Sequence, residues 1–165
     1  MAILVKAIKP SRLRQDALRL QLLNAIRSVG RDVKRDFEAT TATWKHEVKF
    51  EMVISLMQPG PAVLVGTDDP IYRYVDEGTK PHLIFAKNAK ALAFPSAYSA
   101  KTTPKTIGSQ AGGGSGSTLF RPYVEHPGTE ARQFDQTIRD KWEPKFKKAM
   151  EAAMKAGAKA SGHGL

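Results

Sequence analysis

From Leu13 the apolar residues Ala17, Leu20, Leu22, Ile26, Val29, Val33 and Phe37 recur mostly at steps of three and four. That spacing lays one stripe along a helix. It predicts a long N-terminal helix after Pro10, with Ser11 capping its first amides. Gly30, in the middle, costs about 1 kcal/mol relative to alanine and argues against an unbroken helix. The pattern then changes period: Trp44, His46, Val48, Phe50, Met52, Ile54 and Leu56 alternate with Lys45, Glu47, Lys49 and Glu51. A period of two is a strand with one wet face.

"QPGP" at 58–61 reads as a turn, because proline fixes one backbone angle and glycine permits the positive one. "AVLVGT" then returns as a strand. A second break, "DDP" at 68–70, in which aspartate bonds its own backbone, precedes "IYRYVDEGT" and "HLIFAKNAKALAF", both read as strands, with Asn88 a polar gap in the second. Residues 96–118 are dominated by Ser, Thr, Gly and Pro, with almost nothing to bury. That composition predicts a flexible loop joining two strands, mobile alone and ordered against a partner. "LFRPYVEH" resumes as a strand that "PGT" ends. Phe134, Ile138, Trp142, Phe146, Met150 and Met154 then recur every four residues, a second helix with Thr129 as its cap and Glu130 near its positive end. Pro144 should kink or divide it. The tail, 157–165, has no apolar period and should fray.

These elements predict an α+β fold, an antiparallel meander packed against a long N-terminal helix and a C-terminal helix. The whole chain, 1–165, is the size of one domain. "MAILVKAIKP" reads as a first strand or an arm, and packing on a neighbouring subunit is the alternative.

The formal charge is +10. Residues 1–40 hold nine basic against four acidic side chains and 131–165 hold eight against four, whereas 41–95 balance. The excess therefore sits on the two helical ends. Arg27, Arg31, Lys34 and Arg35 fall on one side of the first helix. That patch is either a solvated face or a surface for DNA or an acidic partner. With no cysteine, disulfides, thiolate metal sites and cysteine nucleophiles are excluded. No run reaches the eighteen or so apolar residues a membrane span needs, so no membrane partner is expected.

Candidate chemistry is sparse. His46, His82, His126 and His163 form no HExxH pattern and no metal spacing with acids, so neither a metal nor another cofactor is expected. His46 sits on the apolar side of its strand, where a hydrogen-bonded core histidine is the simpler reading than a ligand. Glu77 with His82, or Glu125 with His126, offers an acid and base without a nucleophile or oxyanion donor beside it. No catalytic residue is assigned, and a small hydrolase is the least favoured class. "AGGGSGS" lacks the order of a phosphate cradle. The strand aromatics Trp44 and Phe50 lie on the buried side, unlike a base-stacking platform.

What remains is a doubled motif. "YVDEGTKPHLIF" at 74–85 and "YVEHPGTEARQF" at 123–134 each end a strand in Gly-Thr, yet the surrounding residues do not repeat. Two strand ends of one design can lie side by side and present a common polar edge. The sequence here resembles the Z-type minor tail proteins of tailed bacteriophages, the tail-completion or head-to-tail joining proteins of the neck. Glu77, Gly78 and Thr79 match the family's first turn. Lys87, Leu92 and Phe94 match its middle segment, and His126, Pro127, Gly128, Thr129, Ala131, Arg132 and Phe134 match its second turn. Gln133 departs from the pattern, which often has proline there. The resemblance covers most of 11–156.

The resemblance implies a non-enzymatic structural virion protein, assembled in the host cytoplasm. It implies a homo-oligomeric ring, often of six subunits, between a head connector or stopper protein and a tail terminator or tail tube protein, with packaged DNA passing through the lumen. Glu77, Gly78, Thr79, His126, Pro127, Gly128 and Thr129 are then expected at subunit or partner contacts. A basic nucleic-acid-binding module is the alternative class.

Overall fold

A computed structural model describes residues 12–55 and 62–163. The N-terminal arm, the Ser11 cap and the turn at 58–61 lie outside the described residues. In chain order the elements are α1 (Gln15–Thr41), β1 (Glu51–Ser55), β2 (Ala62–Gly66), α2 (Pro70–Asp76), β3 (His82–Phe85), β4 (Leu92–Ser99), β5 (Gly113–Arg121), β6 (Tyr123–His126) and α3 (Phe134–Ala160). The α+β class holds, with the two long helices packed on each other.

All strand pairs are antiparallel, and among the described residues they form three two-stranded sheets. β1 pairs with β2. The other four strands nest: β3 pairs with β6, and β4 with β5, as successive stretches of one ribbon. The ribbon is interrupted where residues 86–91 stand against Pro122, a residue with no N–H to give to a ladder.

α1 runs unbroken through Gly30, contrary to the cost read from sequence. A Cβ on Gly30 would lie 2.7 Å from both the Met52 sulfur and a Val63 methyl, so glycine lets the β1–β2 hairpin sit close on the helix. The core is small: Phe37, Phe50, Tyr72, Phe134 and Ile138 are buried together, with Val33, Val48, Val65, Ile107 and Trp142 packed around them. Tyr72 is its hub, with ring centroids 5.1 Å from Phe50 and 5.8 Å from Phe134.

The stretch "IYRYVD" is a helix, where its place after the "DDP" break suggested a strand. Asp69 Oδ1 accepts from the Ile71 and Tyr72 amides, each at 2.9 Å, and Pro70 begins the first turn. A capping aspartate followed by proline is a helix start. The helix then buries Tyr72 and Asp76, four apart, and leaves Ile71 and Tyr74 outside.

α3 begins at Phe134, not under Thr129. Its first amides are capped from another element: Asp76 Oδ1 accepts from the Phe134 N–H, and from the Asp135 N–H at 3.4 Å. The helix passes through Pro144 undivided and reaches Ala160, beyond the point where fraying was expected. Its buried stripe drifts, because steps of four overshoot the 3.6-residue turn by about 40° each. Met154 is therefore 54% exposed, and Ala153 and Gly157 take its place inside. Gly157 lies against α1 so closely that a Cβ would be 2.8 Å from Leu18 Cα.

Residues 96–118 are no free excursion. Residues 96–99 and 113–118 belong to β4 and β5, and the connecting tip is tied to the C-terminal end of α1. Ser109 Oγ donates to Ala39 O at 3.1 Å, Lys101 Nζ donates to Thr43 O at 2.6 Å, and Thr43 Oγ1 donates to Gln110 O at 3.0 Å. Ser109, which looks like linker in a sequence, here satisfies a carbonyl that the end of α1 leaves open.

Candidate functional site

The two Gly-Thr turns are adjacent. Thr79 N–H donates to Thr129 O at 2.9 Å and Thr129 N–H returns a bond to Thr79 O at 3.1 Å, with Thr79 Oγ1 accepting from the same amide at 2.9 Å. Thr79 and Thr129 thus form an isolated antiparallel bridge. Both glycines hold positive φ, +78° at Gly78 and +92° at Gly128. Each presses on the other's turn. A Cβ at Gly128 would lie 2.2 Å from Thr79 O, and one at Gly78 would lie 2.6 Å from Thr129 O. Only a residue without a Cβ permits both the backbone angle and this approach.

The interlocked turns form the root of the ribbon, from which β3 and β6 lead outward. His126 Nδ1 accepts from Gly128 N–H at 3.0 Å and holds the second turn closed. His82 is its cross-strand partner, with ring centroids 5.1 Å apart. Among the described residues no hydrogen bond joins Glu77 to His82 or Glu125 to His126. Successive strand residues point to opposite faces, so Glu125 projects away from the His82–His126 pair. His46, expected in the core, is exposed and bonded to Asp69 Oδ2 at 2.5 Å. The Asp69 carboxyl is held below its ordinary pKa, first by the Tyr72 amide and then by that histidine.

Of the expected contact residues, Glu77 and Pro127 are exposed, whereas Gly78, Thr79, His126, Gly128 and Thr129 are half-buried in the root itself. Beyond the root the ribbon carries its apolar side chains in the open: Leu83, Phe85 and Tyr123 are 53%, 59% and 55% exposed. Sequence reading missed this face. The signal was present, since Leu83, Phe85 and Tyr123 fall on one side once β3 is registered against β6, but the pairing that registers them is not local.

A cleft of about 640 Å³ lies between the body and the returning end of the ribbon, lined by Trp44, Lys45, His46, Tyr98, Lys101 and Arg132 among others. Arg132, a matched residue of the second turn, is nearly enclosed and donates Nε–H to Thr102 Oγ1 at 3.2 Å. Phe134, the aromatic that closes the second motif, is fully buried at the core. Gln133 before it takes φ +55°, which the ring of proline forbids, so this departure from the family pattern alters how the chain turns into α3.

Of the basic patch on α1, Lys34 pairs with Glu38 at 3.6 Å and Arg35 with Asp32 at 3.1 Å. Arg27 and Arg31 are exposed and make no ion pair with a described residue. The second charged cluster, missed from sequence, joins the buried Tyr72 and Asp76 to the more open Asp135. Asp76, Asp135 and Tyr72 meet where α2 touches α3, with Tyr72 Oη donating to Asp135 Oδ1 at 3.4 Å. Burial, and then the charge of Asp76, raises the Asp135 carboxyl above its ordinary value. Burial likewise raises Asp76, against the pull of the Phe134 and Asp135 amides. The tyrosine is raised as well, first by burial and then by Asp135.

Among the described residues no group of three or more acids and histidines is placed to hold a metal ion, and no helix is long and apolar enough to cross a membrane. Comparison with protein-family models, curated proteins and solved structures gives no match.

Proposed function

We propose that the chain is a structural protein of the tailed-phage neck, a non-enzymatic tail-completion protein whose ring joins the tail to the head connector and lets DNA pass. The observation that carries this reading is the interlock of Thr79 and Thr129 at the root of an outward, apolar ribbon. The motifs that resemble the Z-type family meet there, and their glycines are required for the packing of one turn on the other. A ribbon so anchored supports contact with other proteins better than it supports bond-breaking chemistry. In this reading its partners are other copies of the chain, a connector or stopper protein on one side and a terminator or tube protein on the other. The test is a phage lacking the chain. Filled heads should accumulate beside separate, complete tails, and joined infectious particles reject the reading.

A second reading, a basic nucleic-acid-binding module, is favoured by the open Arg27 and Arg31 on a chain of formal charge +10. Binding of free DNA by the monomer would support it, with affinity falling by about 0.9 log units per log unit of salt for each phosphate neutralised. DNA binding unchanged by Arg27→Ala and Arg31→Ala rejects that face as its site.

A further inference from the structure

We propose that the open face of the β3–β6 ribbon of one copy packs on the outward face of the β1–β2 hairpin of the next copy. The contact therefore uses two different patches of the same chain. It deepens the ring reading by naming the surfaces. On the ribbon, Phe85 and Tyr123 are cross-strand partners with ring centroids 6.1 Å apart, and Leu83 shares their face. On the hairpin, Val53 and Leu64 are cross-strand partners, 55% and 66% exposed.

A two-stranded ribbon with both faces in water is marginally stable. Clustered apolar side chains on such a surface mark a contact. Phe85 and Tyr123 each leave more than half of their surface open. Aromatic pairs of this kind form the centre of interfaces that bury about 800 Å² per partner.

Charge selects the partner patch. Lys87, two residues after Phe85, and Arg121, two residues before Tyr123, are exposed, and Glu125 stands across from Leu83. The hairpin patch borders a shallow groove of about 490 Å³ in which Glu51 and Asp68 outnumber Lys49. The signs are opposite, two against one on each side. None of Lys87, Arg121, Glu51 or Asp68 makes an ion pair with a described residue. A twofold contact of ribbon on ribbon would instead use one patch twice and leave the Val53–Leu64 face open. Joining unlike patches propagates in one direction and closes as a ring when the rotation allows.

The natural chain has no cysteine, so single-cysteine variants cross-link without background. Phe85→Cys and Leu64→Cys chains are mixed and oxidised, with thermal melts confirming that each is folded and Tyr123→Cys replacing Phe85→Cys if it is not. The expected product is a disulfide between the two different variants and little from either alone. Absence of the mixed product, or efficient cross-linking of the ribbon variant with itself, overturns the proposal. Independently, Glu51→Lys with Asp68→Lys should weaken self-association about tenfold in sedimentation. Mixing those chains with Lys87→Glu, Arg121→Glu chains should restore it, and association indifferent to both overturns the proposal. Self-association without the mixed cross-link rejects these surfaces and leaves the neck reading standing. Normal joining of heads to tails without the chain rejects the neck reading and leaves this contact standing.

Discussion

Thr79 and Thr129, fifty positions apart in the chain, exchange both of their backbone hydrogen bonds across the Gly78 and Gly128 turns. The pairing fixes where the ribbon leaves the body. Gly128→Ala should therefore destabilise the protein by at least about 2 kcal/mol, since it combines a disfavoured positive φ with overlap onto Thr79 O. Urea denaturation measures this directly. Gly66→Ala, with nothing within 4 Å of the added methyl, is the control and should change stability far less.

Helix propensity predicts that Gly157→Ala stabilises α3 by about 1 kcal/mol. The packing predicts the reverse. A methyl at 157 meets the Leu18 backbone at 2.8 Å, and overpacking of this kind costs about 1–3 kcal/mol. A net loss of stability, with α1 and α3 forced apart, is the expected outcome in thermal and urea melts.

Asp36 Oδ2 accepts from Trp142 Nε1 and from Lys141 Nζ, both at 2.6 Å, and ties α1 to α3. Its side chain is only 17% exposed. Asp36→Ala should cost about 1.5–3 kcal/mol, the range for a hydrogen bond to a charged group. A double-mutant cycle with Trp142→Phe should return a coupling of about 1 kcal/mol or more.

The carboxyls of Asp76 and Asp135 lie above their ordinary value of 3.8, so the folded protein holds these protons more tightly than the unfolded chain. Stability contributed by the pair is therefore greatest in acid and falls as pH rises from 3.8 through the raised values. Asp69 acts in the opposite sense, since its lowered pKa favours the fold above 3.8. Replacing Asp135 by Asn removes one member of the raised pair. The decline in Tm across the mildly acid range should then be shallower in the variant than in the natural chain.

The pattern of residues was sufficient for α1 and for the first two turns of α3, because a long helix declares itself by local period. It was sufficient for β2 and singled out the two Gly-Thr turns, but of the strand read from Trp44 onward only Glu51–Ser55 forms, since residues 44–50 pass over the core without a partner strand. It misread residues 70–76, where the β-rich "IYRYV" suggests a strand while Asp69 and Pro70 carry the helix start. It misread 96–118, since the Ser, Gly and Thr that there form β4, β5 and the Ser109 bond to α1 have the composition of a linker.

What the amino-acid order determined was what each segment reveals within its own few residues: helical stripes, the sites of chain reversal, and the absence of thiol chemistry. The tertiary structure alone decided that β3 pairs with β6 and β4 with β5, that Asp76 caps a helix 58 positions away, and that Leu83, Phe85 and Tyr123 stand together in solvent. The physical reason is range. Helix period and turn preference arise between near neighbours, whereas strand partners, foreign caps and a shared apolar face depend on which distant segments the small core around Tyr72 brings together.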